Sequence, residues 1–304
     1  MPYATVLVLV LLGGGLRLAL APAPHELVRV AGLSASRAAE QRMREIDNFH
    51  TPRVLPAQKP TLRRAFAVLN DDLFARTRSE ADAGAKIVAW AETAAVVLRE
   101  DYDAFLSSAR DLAREKGIYL DLGVAVILGG QPASRDLAVL VGPDGRVLST
   151  FDKAHPVPGM ESLRPGDGVV PVSATPYGRL ANVVCFDADF PATLRTGADL
   201  MFVPSNDWNG IQRTHAANAV FRAVENGYSL IRQTSNGIAV AVDPYGTSLG
   251  RADYFGTDRH AMVVQVPTRG TWTLYGLVGD LFAALCALAV AALAALAVLR
   301  KRVR

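Results

Sequence analysis

The chain has 304 residues, half of them apolar, with a formal net charge of +3, enough to bury a full core in one large domain. Its basic residues form no dense patch interleaved with aromatics, which argues against a nucleic-acid partner. No Gly-x-Gly-x-x-Gly follows a strand into a helix, so a dinucleotide fold has no support, and no metal-type Cys-x-x-Cys or His-x-x-x-His spacing occurs.

The positive mean hydropathy has its source at the two ends. Pro2 to Leu16 is mostly apolar, and Arg17 interrupts before Leu18-Ala-Leu-Ala-Pro-Ala-Pro24. A secretory signal carries its positive charge ahead of the apolar stretch, whereas here the charge follows it. Residues 1–24 are therefore expected to form a short or tilted membrane helix with Arg17 reaching for an interface. Ala19-Leu-Ala21 and Ala21-Pro-Ala23 imitate cleavage sites, so removal of this segment stays an alternative.

A globular domain is expected over 25–270. Val28 to Gly32 reads as its first strand, and residues 39–60 as loop with broken helix. Leu62 to Ala83 has apolar residues at helical spacing. Lys86 to Trp90 reads as a strand, Tyr102 to Lys116 as an amphipathic helix, and Ala125 to Gly129 as a strand. Leu137 to Val141 and Val147 to Phe151 form a hairpin around Gly142-Pro-Asp-Gly145. Strands follow at Leu180 to Cys185 and Leu200 to Pro204, then a helix at Gln212 to Asn226. Ser229 to Thr234, Ile238 to Val242 and Met262 to Val266 complete the strands. The alternation reads as α/β, and the late run of strands implies a pair of mixed sheets.

Residues 271–304 read as an anchor. Leu281 to Leu299 is uncharged and apolar, matching the roughly 20 residues needed to cross a bilayer. Arg300-Lys-Arg-Val-Arg304 follows at once and is expected to stay cytoplasmic. With both ends in a plasma membrane of bacterial type, the middle faces the extracytoplasmic side.

Only two cysteines are present. Cys286 lies within the terminal span and Cys185 at a strand end, so Cys185 is expected to be a free thiol. It stands in Val183-Val-Cys185-Phe-Asp-Ala-Asp-Phe-Pro191, after an apolar run and before acidic turn residues. Glu92, in Trp90-Ala-Glu92-Thr-Ala94, and Lys153, in Phe151-Asp-Lys153-Ala-His-Pro156, also end apolar runs. Three matched groups at three strand ends suit thiol-based acyl transfer. The thiolate is the nucleophile, a glutamate takes the thiol proton, and an ammonium stabilises the oxyanion. The product of the first half-reaction is a thioester on Cys185, resolved by an amine or by water.

The order Glu92, Lys153, Cys185 with these flanks resembles the nitrilase (carbon–nitrogen hydrolase) superfamily across roughly residues 28–267. Within it the chain looks most like the catalytic domain of the apolipoprotein N-acyltransferase family. That likeness rests on Val203-Pro-Ser-Asn-Asp-Trp-Asn-Gly210, His215, Phe221-Arg-Ala-Val-Glu-Asn-Gly-Tyr228, Arg232 to Val240, and Thr273 to Asp280. The resemblance implies a nitrilase-like αββα sandwich, here flanked by terminal transmembrane helices. It implies Glu92 as base, Lys153 as oxyanion stabiliser and Cys185 as nucleophile. Glu161 would position the lysine or substrate, the Phe186 amide would be a second oxyanion donor, and Asp187 would adjoin it. Asn206 and Asp207 would stand at the pocket edge, with Trp208 lining an acyl or headgroup surface.

The implied activity moves a fatty acyl group from a phospholipid to a lipoprotein N-terminal amine, with no cofactor or metal. Two departures leave a second reading open. Asp187 stands where acyltransferases usually carry glutamate, and the family's bundle of N-terminal membrane helices is reduced to at most one. The alternative is a membrane-tethered amidase acting on small amides.

Overall fold

The computed structural model describes residues 2–22, 26–46, 54–258 and 260–302. Three expectations touch other residues: the boundary at Pro24–His25, the middle of the 39–60 loop, and Val303–Arg304 of the basic tail lie outside the described residues.

An apolar helix, α1 (Pro2–Ala19), precedes the domain. The first half of the domain then runs β1 (Leu27–Leu33), α2 (Arg37–Ile46), α3 (Lys59–Asp82), β2 (Ile87–Trp90), β3 (Ala95–Leu98), α4 (Tyr102–Lys116), β4 (Tyr119–Ile127), β5 (Ser134–Val141) and β6 (Val147–Asp152). The second half runs β7 (Val172–Thr175), β8 (Gly178–Asn182), β9 (Leu200–Phe202), β10 (Ser205–Asn206), α5 (Gln212–Asn226), β11 (Ser229–Arg232), β12 (Thr234–Ser235), β13 (Ile238–Val242), β14 (Ser248–Asp253) and β15 (Ala261–Pro267). A short α6 (Leu274–Val278) leads into α7 (Leu281–Arg302).

Two mixed sheets face each other. One has the order β15-β1-β2-β4-β5-β6, with β3 also pairing β4; the other has the order β14-β13-β11-β9-β8-β7. Strand residues alternate between two apolar environments, as the period of two requires. In β1 and β2, Val28, Val30, Ile87 and Ala89 join Leu180, Leu200, Phe202 and Ile231 between the sheets. Ala31, Leu33, Val88 and Trp90 instead join Leu73, Phe105 and Leu112 beneath α3 and α4. On the far side Ala219 and Ala223 of α5 pack with Val184, Met201 and Leu230. The layers are helix, sheet, sheet, helix, and each fully buried Leu, Ile or Phe contributes about 1.5–3 kcal/mol. This is the expected α/β sandwich.

The two ends differ from each other. Leu281–Leu299 is the one stretch among the described residues long and apolar enough to cross a membrane, and none of it is buried; the N-terminal apolar helix, Tyr3–Ala19, is shorter. Arg17 does not reach away from the protein. Its guanidinium donates to the Pro244 carbonyl at 3.4 Å and lies 5.0 Å from the Tyr245 ring centroid, so the end of α1 is tied to the turn after β13.

Candidate active site

The chain leaves three strands where it meets the site. Glu92 lies in the turn between β2 and β3 and is almost fully buried. That turn crosses closely over β4: a Cβ at Gly123 would stand 1.9 Å from the Ala91 carbonyl oxygen, so only glycine fits there. Lys153 follows β6 directly, its amide held by the Asp136 carbonyl at 2.9 Å. Cys185 follows β8 by two extended residues, with Val183 and Cys185 donating to the Phe202 and Pro204 carbonyls. The expected strand through Cys185 ends at Asn182, and a short 3-10 turn spans Cys185–Asp189.

The structure brings Glu92, Lys153 and Glu161 together. Lys153 Nζ donates to Glu92 Oε1 at 2.6 Å and to Glu161 Oε1 at 2.8 Å, and lies 3.8 Å from Asp136 Oδ2. Glu161 Oε2 also accepts from the Val157 amide at 2.7 Å, which pins its loop. Burial alone disfavours the Lys153 ammonium, but Glu92, Asp136, Cys185 and Glu161 outweigh it and hold the lysine above its ordinary range. Asp136 was not singled out in the sequence. Burial, then the charge and hydrogen bond of Glu92, push its carboxyl well above the usual range.

Cys185 joins this group through its field. Burial and the Glu92 charge push its thiol up, while Arg232 and Lys153 pull it down. The sulfur lies 3.8 Å from the Asn206 carbonyl oxygen. The backbone at Cys185 is left-handed (φ 45°), as it is at Thr93 (φ 50°) beside Glu92 and at Asn236 (φ 53°). Such conformations in non-glycine residues cost about 1–3 kcal/mol each and gather where function holds them. All three meet at Asn206, which donates through Nδ2 to Thr93 Oγ1 at 3.3 Å and accepts through Oδ1 from Asn236 Nδ2 at 2.9 Å. Asn206 is thus a tie between strained turns.

Asp207, His215 and Arg232 lie on another side of the sulfur. Arg232 Nη2 donates to Asp207 Oδ1 at 2.6 Å, and His215 Nδ1 lies 3.0 Å from the same oxygen. One atom each of Cys185, Asp207 and His215 falls within 4.8 Å of the others, a grouping of metal-ligand type. The partially exposed Trp208 ring meets the His215 ring edge to face, 5.8 Å between centroids. The Phe186 ring packs on Phe190 and His215. Asp187 is turned away toward the lysine loop: it accepts from the Ala154 and His155 amides and faces His155 Nδ1 at 2.6 Å. Burial raises its carboxyl, and those contacts oppose the rise.

Comparison with known proteins agrees with this geometry. Residues 56–268 match the carbon–nitrogen hydrolase family. The chain belongs to that family, within the nitrilase superfamily. It is 28% identical over 252 residues to an apolipoprotein N-acyltransferase of Geobacter metallireducens, covering 71% of this chain and 47% of the relative. It is 25% identical over 333 residues to one of Bradyrhizobium diazoefficiens, covering 95% and 58%. The chain thus spans about half the length of the relatives it matches. Among solved structures, an amidase from Nesterenkonia sp. shares the fold at a TM-score of 0.59 and 22% identity, over 82% of this chain and 92% of that one.

Proposed function

We propose that the protein is a membrane-anchored, cysteine-dependent N-acyltransferase that moves a fatty acyl group from a phospholipid to the N-terminal amine of a lipoprotein. The observation that carries it is the buried contact of Lys153 with Glu92 and Glu161 in the field of Cys185, in a chain whose relatives are named apolipoprotein N-acyltransferases. Residues 25–270 are the catalytic domain, outside the cytoplasm. Residues 271–304 are the anchor, with the basic tail inside.

Glu92 takes the Cys185 thiol proton as the sulfur attacks the ester carbonyl carbon of the phospholipid. The oxyanion forms against the Lys153 ammonium and the Phe186 amide. The C–O bond breaks, the lysophospholipid hydroxyl takes the proton from Glu92, and the acyl group stays on Cys185 as a thioester. The acceptor amine then attacks that carbonyl, gives its proton through Glu92 to the departing sulfur, and leaves as an amide. Glu161 holds the lysine, Asn206 and Asp207 order the turn beside the sulfur, and Trp208 offers its exposed ring to the substrate.

A second reading, an amidase whose thioester is resolved by water, is favoured by Asp187 in place of glutamate. Intact-mass spectrometry of the protein in phospholipid separates the two. A fatty-acyl mass that Cys185→Ala abolishes, and that a lipopeptide amine removes as N-acylated product, supports transfer. Ammonia release from small amides with no acyl adduct from phospholipid overturns it in favour of hydrolysis.

A further inference from the structure

The thioester chemistry uses the sulfur of Cys185 but not the donor set beside it. Cys185, Asp207 and His215 are all buried, and their donor atoms lie within 4.8 Å of one another. Sulfur, imidazole nitrogen and carboxylate oxygen are zinc ligands, bound at about 2.3 Å for sulfur and about 2.0–2.2 Å for the others. A point central to three atoms so spaced lies within about 2.8 Å of each, so each donor needs to move by at most about 0.5–0.8 Å to bond. The donors come from the turn after β8, the segment after β10 and helix α5. The backbone therefore holds three different ligand types at one place.

Asp207 adds a separate observation. Its Oδ1 serves Arg232 and His215, but Oδ2 has no hydrogen-bond partner among the described residues although the side chain is fully buried. Leaving such an oxygen unpaired in the interior costs about 1–3 kcal/mol, a cost that a cation bound by this carboxylate through Oδ2 would remove. Gly237 makes the space the carboxylate occupies: a Cβ there would stand 2.3 Å from Oδ2.

We propose that Cys185, Asp207 and His215 form a reversible, inhibitory site for a divalent cation of the zinc class, with water at the fourth position. Binding replaces the thiol proton, which passes to solvent, and places the sulfur electron pair in a metal bond. The nucleophile is then withheld from any acyl donor. Arg232, sharing the Asp207 carboxylate, puts positive charge beside the ion and keeps the affinity modest enough for a chelator to reverse. Only the inhibitory consequence rests on Cys185 being the nucleophile; metal binding is read separately.

The experiment uses the full chain in detergent with Cys286→Ala, leaving Cys185 as the sole thiol. Cobalt(II) replaces zinc as a spectroscopic probe. One cobalt per chain, with a near-ultraviolet thiolate-to-metal band, is expected. Pre-alkylation of Cys185, which needs no mutation, should abolish the band, and His215→Gln should weaken binding by at least about tenfold. Zinc should slow alkylation of Cys185, with full recovery on adding EDTA. A cobalt band unchanged in His215→Gln, or an alkylation rate indifferent to zinc, overturns the site. If cobalt binds as expected while zinc leaves acyl transfer untouched, the site stands and the nucleophile assignment fails.

Discussion

Two clusters near Cys185 are built the opposite way round, one with acids around a basic side chain and the other with basic side chains around an acid. On one side a single ammonium, Lys153, faces Glu92, Glu161 and Asp136. On the other a single carboxylate, Asp207, lies between Arg232 and His215. In each cluster the central group is buried, and burial opposes its charge, yet the surrounding majority outweighs that penalty. Lys153 is held above the ordinary lysine range, and Asp207 below the ordinary carboxylate range by His215 and Arg232 despite its burial. The clusters differ in how the surplus is relieved. Beside Lys153 the Asp136 carboxyl is pushed well above its ordinary range by burial and by Glu92, whereas beside Asp207 one carboxylate oxygen stays unpaired.

The lysine side should break hardest. Lys153→Met leaves Glu92, Glu161 and Asp136 clustered without a cation. Acyl transfer should fall by at least about 10²–10³-fold, and unfolding free energy by about 3–5 kcal/mol. Denaturant titration beside a turnover assay checks both, and a variant as stable and active as the parent would refute the role given to the ammonium. Next comes a contrast between two acids of that cluster. Glu92→Gln should cost about 10²–10⁴-fold in rate because it removes the proposed base. Asp136→Asn should cost far less and change stability by under about 1 kcal/mol, since an amide of the same shape replaces a carboxyl that burial and Glu92 already bias toward its neutral form. Equal losses in the two variants would show that the proton sits elsewhere.

Legibility in the sequence followed the same physics. Glu92, Lys153 and Cys185 could be read because each ends an apolar run, and α5 occupies Gln212–Asn226 as its spacing predicts. Asp136 reads as an ordinary polar residue at the head of a strand, and nothing local shows that folding carries it beside Glu92. Arg232 reads as one more residue of the expected strand from Ser229 to Thr234, although its side chain is fully buried. The short edge strands β7 and β14 are half-exposed along their length and carry too little apolar periodicity to stand out. Helix α2 falls at the start of the stretch expected to be mostly loop. Strand β4 runs from Tyr119, earlier than the expected start at Ala125, because Asp121 interrupts the apolar pattern while lying fully buried.

Asp121 supplies the gentlest test, because it leaves the chemistry untouched. It lies between the sheets, accepting from Asn182 Nδ2 at 2.7 Å, with no cation bonded to it among the described residues. Burial pushes its carboxyl up to about 7 from an ordinary 3.8, against the opposing Asn182 hydrogen bond. The folded state thus holds a proton that the unfolded chain releases near pH 4. Asp121 therefore favours folding fully below that pH, and its contribution declines as pH rises toward about 7, by up to about 1.4 kcal/mol per pH unit. Asp207 works in the opposite sense: its lowered carboxyl stabilises above the ordinary carboxylate range, and that contribution is lost as pH falls through its folded value. Asp121→Asn should flatten the decline between roughly pH 4 and pH 7 and leave the acid limb intact. Denaturation midpoints across that range decide it. A parent protein whose stability does not decline there, or an asparagine variant with the same slope, means that the buried acid is not holding its proton.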